Sequence, residues 1–385
     1  MSPSADPRPR ARGLAVLGTA LLVLGVVLTI ALRPTADRPG PTDDRGRVVA
    51  AHLAALPPIG HVFVINIENK SFGSTWGRYS QAPYLAQTLR AQGVLLTHYY
   101  GTAHHSLGNY VAQISGQGPD YATQHDCGRY TRFRSAGSTV APQQVVGNGC
   151  VYPASVKTLA GQLTASGRTW RGYLEDMGTP CQRPKLGAID PWRAARPGEQ
   201  YATRHNPFVY FRSITAHPAS CKAHVRSLSA LSTDLKQVST TRTLSYITPD
   251  LCHDGHDRTC ADGGPGGLKA VNSFLKTWVP RIRSSPAFRK DGMLVITADE
   301  SDSSASACCS EGPGPNAPRP GITGMGGGRV GALVLSPYVT GGATSATPYN
   351  HYSLLASLEK MFGLSRLGYA RTATHTFGAD VFSAS

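Results

Sequence analysis

Val62-Phe-Val-Ile-Asn-Ile67 is followed at once by Glu68-Asn69. A short apolar, β-branched run that stops on a carboxylate and an amide reads as a buried parallel strand. Open α/β sheets bind ligands outside the carboxyl ends of such strands. Met293-Leu-Val-Ile-Thr-Ala298 repeats the pattern and stops on Asp299-Glu300. Two strands that deliver oxygen donors to one edge can build a site for a hard divalent cation.

The signals between these strands alternate. Helices are expected at residues 82–92, 107–115, 156–166, 268–279 and 352–362, and strands at 94–100, 169–174, 244–248 and 330–335. This order favours an α/β fold with a mainly parallel sheet sandwiched between helices. Residues 301–328 are too polar and too rich in Gly and Pro for core, and read as a long surface loop.

The chain has 385 residues, 41% of them hydrophobic, with 42 Gly and 28 Pro, which suits a loop-rich globular enzyme rather than a disordered chain. Residues 13–32 carry no charge, follow Arg8, Arg10 and Arg12, and precede Arg33. Twenty uncharged residues behind a basic flank suit a signal anchor better than a cleaved signal peptide, and either implies export. The expected division is residues 1–33 as signal segment, 34–60 as extracytoplasmic linker with a short helix at 48–56, and 61–385 as catalytic domain.

All eight cysteines follow the apolar segment, and an even count in an exported chain suggests disulfides. Cys127–Cys150, Cys181–Cys221 and Cys252–Cys260 are reasonable local bridges, although spacing does not fix connectivity. Cys308 and Cys309 are adjacent and are expected not to pair with each other. The net charge is +15; residues 1–33 hold four arginines and one aspartate, so +12 lies beyond them. No basic helix or groove-reading motif accompanies this charge, so nucleic acid is not the expected partner. General electrostatics accounts for it better, either as a soluble basic surface or as attraction to anionic substrate or membrane lipid.

Chemistry-bearing residues cluster in three places. In His104-His-Ser-Leu-Gly-Asn109, Ser106 stands at a helix start, where the dipole and free N–H groups favour an alkoxide and an incoming phosphate. A plain N-cap role for Ser106 is the competing reading. Asp254-Gly-His-Asp257 mixes carboxylates and imidazole, as a metal or phosphate site would, although Asp-Gly also marks a simple turn. His351 precedes the last helix, where Asn350 serves equally well as an N-cap with His351 a bystander. Glu175-Asp176 reads as a solvated acidic pair, and His205 has no case from chemistry alone.

In this order the segments resemble the phosphoesterase family of bacterial phospholipases C and acid phosphatases. Ile67-Glu-Asn-Lys-Ser-Phe72 resembles its Glu-Asn-Arg-Ser-Phe opening, and His104 through Tyr110 its His-Pro-Ser-x-Pro-Asn-Tyr motif. Tyr246 through Asp250 with Asp254 through Asp257, Thr297-Ala-Asp-Glu300, and Asn350 through Leu355 resemble further motifs of the acid phosphatase branch. That branch includes secreted mycobacterial phosphatidylinositol 3-phosphate phosphatases. The resemblance implies an alkaline phosphatase superfamily-like fold and a divalent metal held by Glu68, Asn69, Ser106, Asp299 and Glu300. It implies Ser106 as nucleophile, His256 and His351 as catalytic imidazoles, and Asn109, His205, Asp254 and Asp257 at the phosphate ester substrate. Protonated histidines would then set an acidic pH optimum. Gly73 stands where phospholipase-type members carry Asp, which favours a phosphomonoesterase, phosphoinositides among its candidate esters. His105 and Gly108 replace two prolines of the phosphatase motif. The rivals are a phospholipase C-type phosphodiesterase, separable by supplying phosphatidylcholine beside a monoester, and an inactive membrane-tethered binding protein, separable by chelation.

Overall fold

Alternating apolar runs and amphipathic stretches assemble around one eight-stranded sheet in the computed structural model, which describes residues 56–309, 311 and 313–383. Its strands are β1 (His61–Ile67), β2 (Val94–Leu96), β3 (Trp170–Leu174), β4 (Val225–Ser227), β5 (Leu244–Thr248), β6 (Gly292–Ala298), β7 (Ala332–Leu335) and β8 (Thr344–Ser345). They lie in the order β8-β2-β7-β6-β1-β5-β3-β4. Only β7 runs against its neighbours; every other pairing is parallel. The expected α/β fold with a mainly parallel sheet is therefore observed. The signal segment, most of the linker and most of the expected helix at 48–56 lie outside the described residues, and among those described no helix is long and apolar enough to cross a membrane.

β1 and β6 are the central pair, and their register matches Ile67 with Ala298. Every residue of β6 is buried, as is all of β1 after His61, as expected of strands covered on both faces. The ladder runs on past the strands, with Asp299 N–H donating to the Ile67 carbonyl at 3.0 Å. Glu68 and Asp299 thus leave the sheet side by side.

Four helices matter most: α1 (Ser106–Ser115), α2 (Leu159–Ala165), α3 (Gly267–Ser284) and α4 (His351–Met361). α1 is buried along its whole length and ends on Gly116 at φ 67°, the left-handed cap that glycine adopts without penalty. α3 continues through Pro280 where the sequence suggested a stop at 279. Its apolar stripe (Phe274, Leu275, Trp278, Val279, Ile282) is buried on both sides of the proline, and that burial outweighs a proline penalty of about 3 kcal/mol. The expected helix at 82–92 is instead a π-helical stretch, Tyr84–Leu89, followed by a 3-10 turn, Arg90–Gln92. The expected strand at 94–100 breaks in two. Thr97 turns to bond Ser345 and Arg329, and Tyr99–Tyr100 pairs with Tyr349–Asn350 instead.

Three disulfides form as the spacing suggested, Cys127–Cys150, Cys181–Cys221 and Cys252–Cys260. The expectation for Cys308 and Cys309 is overturned: they are bonded to each other. The other six thiols are already paired, and the loop is pinned where they sit. Glu311 accepts from Cys309 N–H at 2.7 Å, and Cys308 Sγ lies 3.3 Å from the Tyr349 carbonyl. The described part of the 301–328 loop is less superficial than expected. Gly327 N–H bonds the Gly101 carbonyl and the Pro320 carbonyl accepts from His104 N–H, folding the loop over residues 101–104.

Candidate active site

Ser106 is the first residue of α1, and its N-cap is His105, so the N-cap reading for the serine fails. Its hydroxyl donates to Glu68 Oε2 at 2.9 Å, and it is 2% exposed. The same carboxylate accepts a short hydrogen bond from the Tyr110 hydroxyl, four residues along the same helix face. Glu68 Oε2 lies 3.3 Å from His205 Nε2, and His205 Nδ1 lies 3.2 Å from Asp254 Oδ2. Asp299 completes the group: its Oδ1 accepts from Asn69 N–H at 2.9 Å, and its carboxylate also faces Glu68 and Ser106.

Four strand ends and loops supply these groups. Glu68 follows β1 and Asp299 follows β6, and Asp254 sits in the loop after β5, whose carbonyl accepts from Glu68 N–H at 2.8 Å. The Cys252–Cys260 disulfide brackets that loop. His205 lies in a short turn, Thr203–His205, its ring stacked on Tyr110 at 5.5 Å.

Burial raises the Glu68 carboxyl pKa well above its ordinary value, and the neighbouring Asp299 and Asp254 charges raise it further. Burial likewise raises Asp254 and Asp299. Three carboxyls with 0% exposure, crowded together, need a counter-charge. Asp254 Oδ2, Asp299 Oδ2 and both His205 ring nitrogens have no hydrogen-bond partner among the described residues. The imidazole is near two carboxylates yet aligned with neither. Glu68, His205 and Asp254 each offer one donor atom within 4.8 Å of the others. Oxygen donors joined by one neutral imidazole fit a divalent cation.

The remaining expected residues have partners other than those expected. Asn69 meets Asp299 through its peptide N–H. Glu300, expected beside the metal, is ion-paired to His104 Nδ1; burial pushes the Glu300 carboxyl up to about 8, against the His104 hydrogen bond. Burial opposes charge on His104, but Glu300 outweighs it and raises the imidazole pKa. Asn109, expected at the substrate, spends its amide on the loop before α1, accepting from Thr102 and Ala103 N–H at 2.8 and 2.9 Å. His351 stands behind the cluster: it is fully buried, its Nε2 is 2.6 Å from the Asp299 carbonyl and its Nδ1 meets Tyr99 and Gln113. Burial drops its pKa to about 4, with the Asp299 carbonyl opposing. Burial, Arg204 and His256 hold the His205 pKa well below normal. The expectation of protonated rings therefore does not hold for His205 or His351.

His256 differs. Its side chain is 35% exposed, its Nδ1 is 2.6 Å from Asp257 Oδ1, and its ring lies 6.2 Å from His205. Asp257 thus orients His256 rather than lining the cluster. Sequence reading missed Arg204, which is 6% exposed, 3.4 Å from His256 Nε2 and 3.8 Å from Asp126. No motif flags it; a guanidinium beside His205 becomes informative only once that turn is seen to be buried. Tyr110 was findable, because it follows Ser106 at helical spacing. Asp126 was not: its carboxylate takes the Leu107 N–H at 3.0 Å across a loop. Glu175 is no solvated pair member either. It bonds His253 at 3.1 Å and accepts from Asp250 N–H.

Known proteins similar to this chain include several phosphatases. Relatives include a phosphate-repressible acid phosphatase of Penicillium chrysogenum, 26% identical over 90% of this chain and 72% of that one. A phosphatidylinositol-3-phosphatase of Mycobacterium tuberculosis is 24% identical over 84% of each chain. A probable acid phosphatase of Kluyveromyces lactis is 24% identical, and the match spans 59% of its length. Among solved structures, an alkaline phosphatase superfamily protein of Vibrio parahaemolyticus aligns with a TM-score of 0.48 and 11% identity, covering 82% of this chain and 69% of that one. The phosphoesterase family model matches residues 78–365, which takes in Ser106, His205, Asp254 and Asp299. The chain belongs to the phosphoesterase family.

Proposed function

We propose that the protein is an exported, metal-dependent phosphomonoesterase of acid phosphatase type that works through a phosphoserine at Ser106. One observation carries this reading: Glu68, Asp254, Asp299 and His205 converge, all buried and the last three incompletely satisfied, around the Ser106 hydroxyl. A divalent cation held by these side chains would supply Lewis acidity and lower the hydroxyl's pKa.

The chain's own groups do the rest. Ser106 Oγ passes its proton to Glu68 Oε2 and forms a bond to phosphorus as the ester P–O bond breaks. His256, held at Nδ1 by Asp257, gives a proton from Nε2 to the leaving oxygen once the incoming phosphoryl group has drawn the donating Arg204 guanidinium off that nitrogen. Arg204 beside it neutralises the phosphoryl oxygens. Water then attacks the phosphoserine, His256 takes its proton, and the proton on Glu68 returns to Ser106.

A 24% identical relative named for phosphatidylinositol 3-phosphate makes phosphoinositides the first esters to assay. The four disulfides support an extracytoplasmic location. The uncharged stretch 13–32 is proposed as signal segment, residues 34–60 as linker and 61–385 as catalytic domain. Ser106→Ala is expected to lower turnover of an aryl phosphate by at least roughly 10³-fold with an unchanged circular dichroism spectrum. Undiminished turnover would remove Ser106 from the nucleophile role.

A further inference from the structure

A cavity of about 800 Å³ shares none of its lining residues with the cluster around Ser106. One wall is the Cys181–Cys221 disulfide region, and Arg132, Arg183, Lys185, Arg212 and Lys222 line it. Among the described residues no carboxylate lies within ion-pair distance of any of the five; the ion pairs of other arginines involve Arg171, Arg196, Arg204 and Arg242. Arg183 is fixed in place by the Cys181 and Thr215 carbonyls at 3.0 and 3.4 Å, which orient its charge without cancelling it.

The acid in the wall, Glu199, is already engaged. Its Oε1 accepts the Trp192 indole N–H at 2.7 Å, and its Oε2 lies 3.8 Å from Arg196 outside the lining. Trp192 adds an aromatic face beside the charges. Five cations gathered in a concavity repel one another, and a low-dielectric wall focuses their field on whatever anion enters. The excess positive charge that no nucleic-acid motif explains is concentrated here in part.

We propose that this cavity binds a small polyanion carrying two or more phosphate groups, separately from the catalytic centre. Arginine forks pair with phosphate oxygens in bidentate fashion, several cations match several phosphates, and the volume suits one phosphorylated ring. A soluble polyphosphate and a phosphorylated lipid headgroup share this chemistry.

The test uses the full chain in a Ser106→Ala background, so that the probe is not consumed. Lys185 and Lys222 are exposed, and the double variant Lys185→Glu/Lys222→Glu should fold normally. Inositol hexakisphosphate, titrated by calorimetry, should bind it at least about tenfold more weakly, whereas the same charge change at exposed Lys269 and Lys276 of α3 should cost less than about threefold. Co-sedimentation with phosphoinositide-bearing vesicles is the second arm. Selective loss for the soluble probe assigns a soluble ligand, and selective loss for vesicles assigns a headgroup. Hydrolysis of a small aryl phosphate by the double variant with Ser106 intact should stay within about twofold of wild type, because Lys185 and Lys222 lie outside the catalytic cluster. Equal affinity of the two double variants in both arms overturns the proposal, and it does so without touching the Ser106 assignment.

Discussion

His256 differs from His205 and His351 in having its ring partly in solvent, with Asp257 on one nitrogen and the Arg204 guanidinium 3.4 Å from the other. A ring so placed can reach a leaving oxygen; His351, bonded to the Asp299 carbonyl from behind, cannot. His256→Gln should therefore slow hydrolysis of an alkyl phosphate, whose alkoxide needs a proton, by roughly 10²–10⁴-fold. An aryl phosphate with a good leaving group should lose far less. Equal losses on both esters would place His256 outside proton transfer. At this scale the sequence revealed residue types but not their aim. Glu68, Ser106 and Asp299 stand at strand ends and a helix start, where pattern alone suggests function. The turn of Asn109 toward its own loop, and of Glu300 toward His104, depends on rotamers that no spacing encodes.

α1 fixes the hydroxyl, and what fixes α1 is its far end. Gly116 holds a left-handed cap, and a Cβ there would sit 2.4 Å from the Leu367 carbonyl. Gly116→Ala should destabilise the fold by more than about 1 kcal/mol, read as a lower midpoint in urea, since both the backbone and the contact oppose it. An unchanged midpoint would mean the α1 cap contributes little. β1, β5, β6 and the core of α1 were legible because continuous apolar runs of strand length and helical spacing differ in period. α3 beyond Pro280 and the break at Thr97 were not, because tertiary burial and partners far along the chain overrode local preference.

Over the whole molecule, the decisive contact joins residues 230 positions apart, Asn69 and Asp299, through the parallel register of β1 on β6. Two similar strands can be recognised in a sequence; that they are neighbours in register is a property of the assembled sheet. Stability should also carry a pH signature from α4. Glu359 is buried, accepts from Leu367 N–H at 3.0 Å, and burial pushes its carboxyl from an ordinary 4.5 up to about 8. The folded state holds this proton more tightly than the unfolded chain, so the stabilisation is complete below about pH 4.5 and is lost as pH rises toward 8. Glu359→Gln, which keeps the acceptor and cannot ionise, should flatten that decline in thermal melts. An identical pH dependence would show that Glu359 does not titrate there.

The central claim is that Glu68, Asp254, Asp299 and His205 hold a divalent cation against Ser106. Thermal melting of the full chain with and without chelator, alongside a Glu68→Gln/Asp299→Asn variant and elemental analysis of bound metal, tests it most directly. The account predicts stoichiometric metal and a melting temperature that falls on chelation in the wild type, with neither in the variant. A metal-free wild type whose melting ignores both chelator and added divalent cations would contradict it.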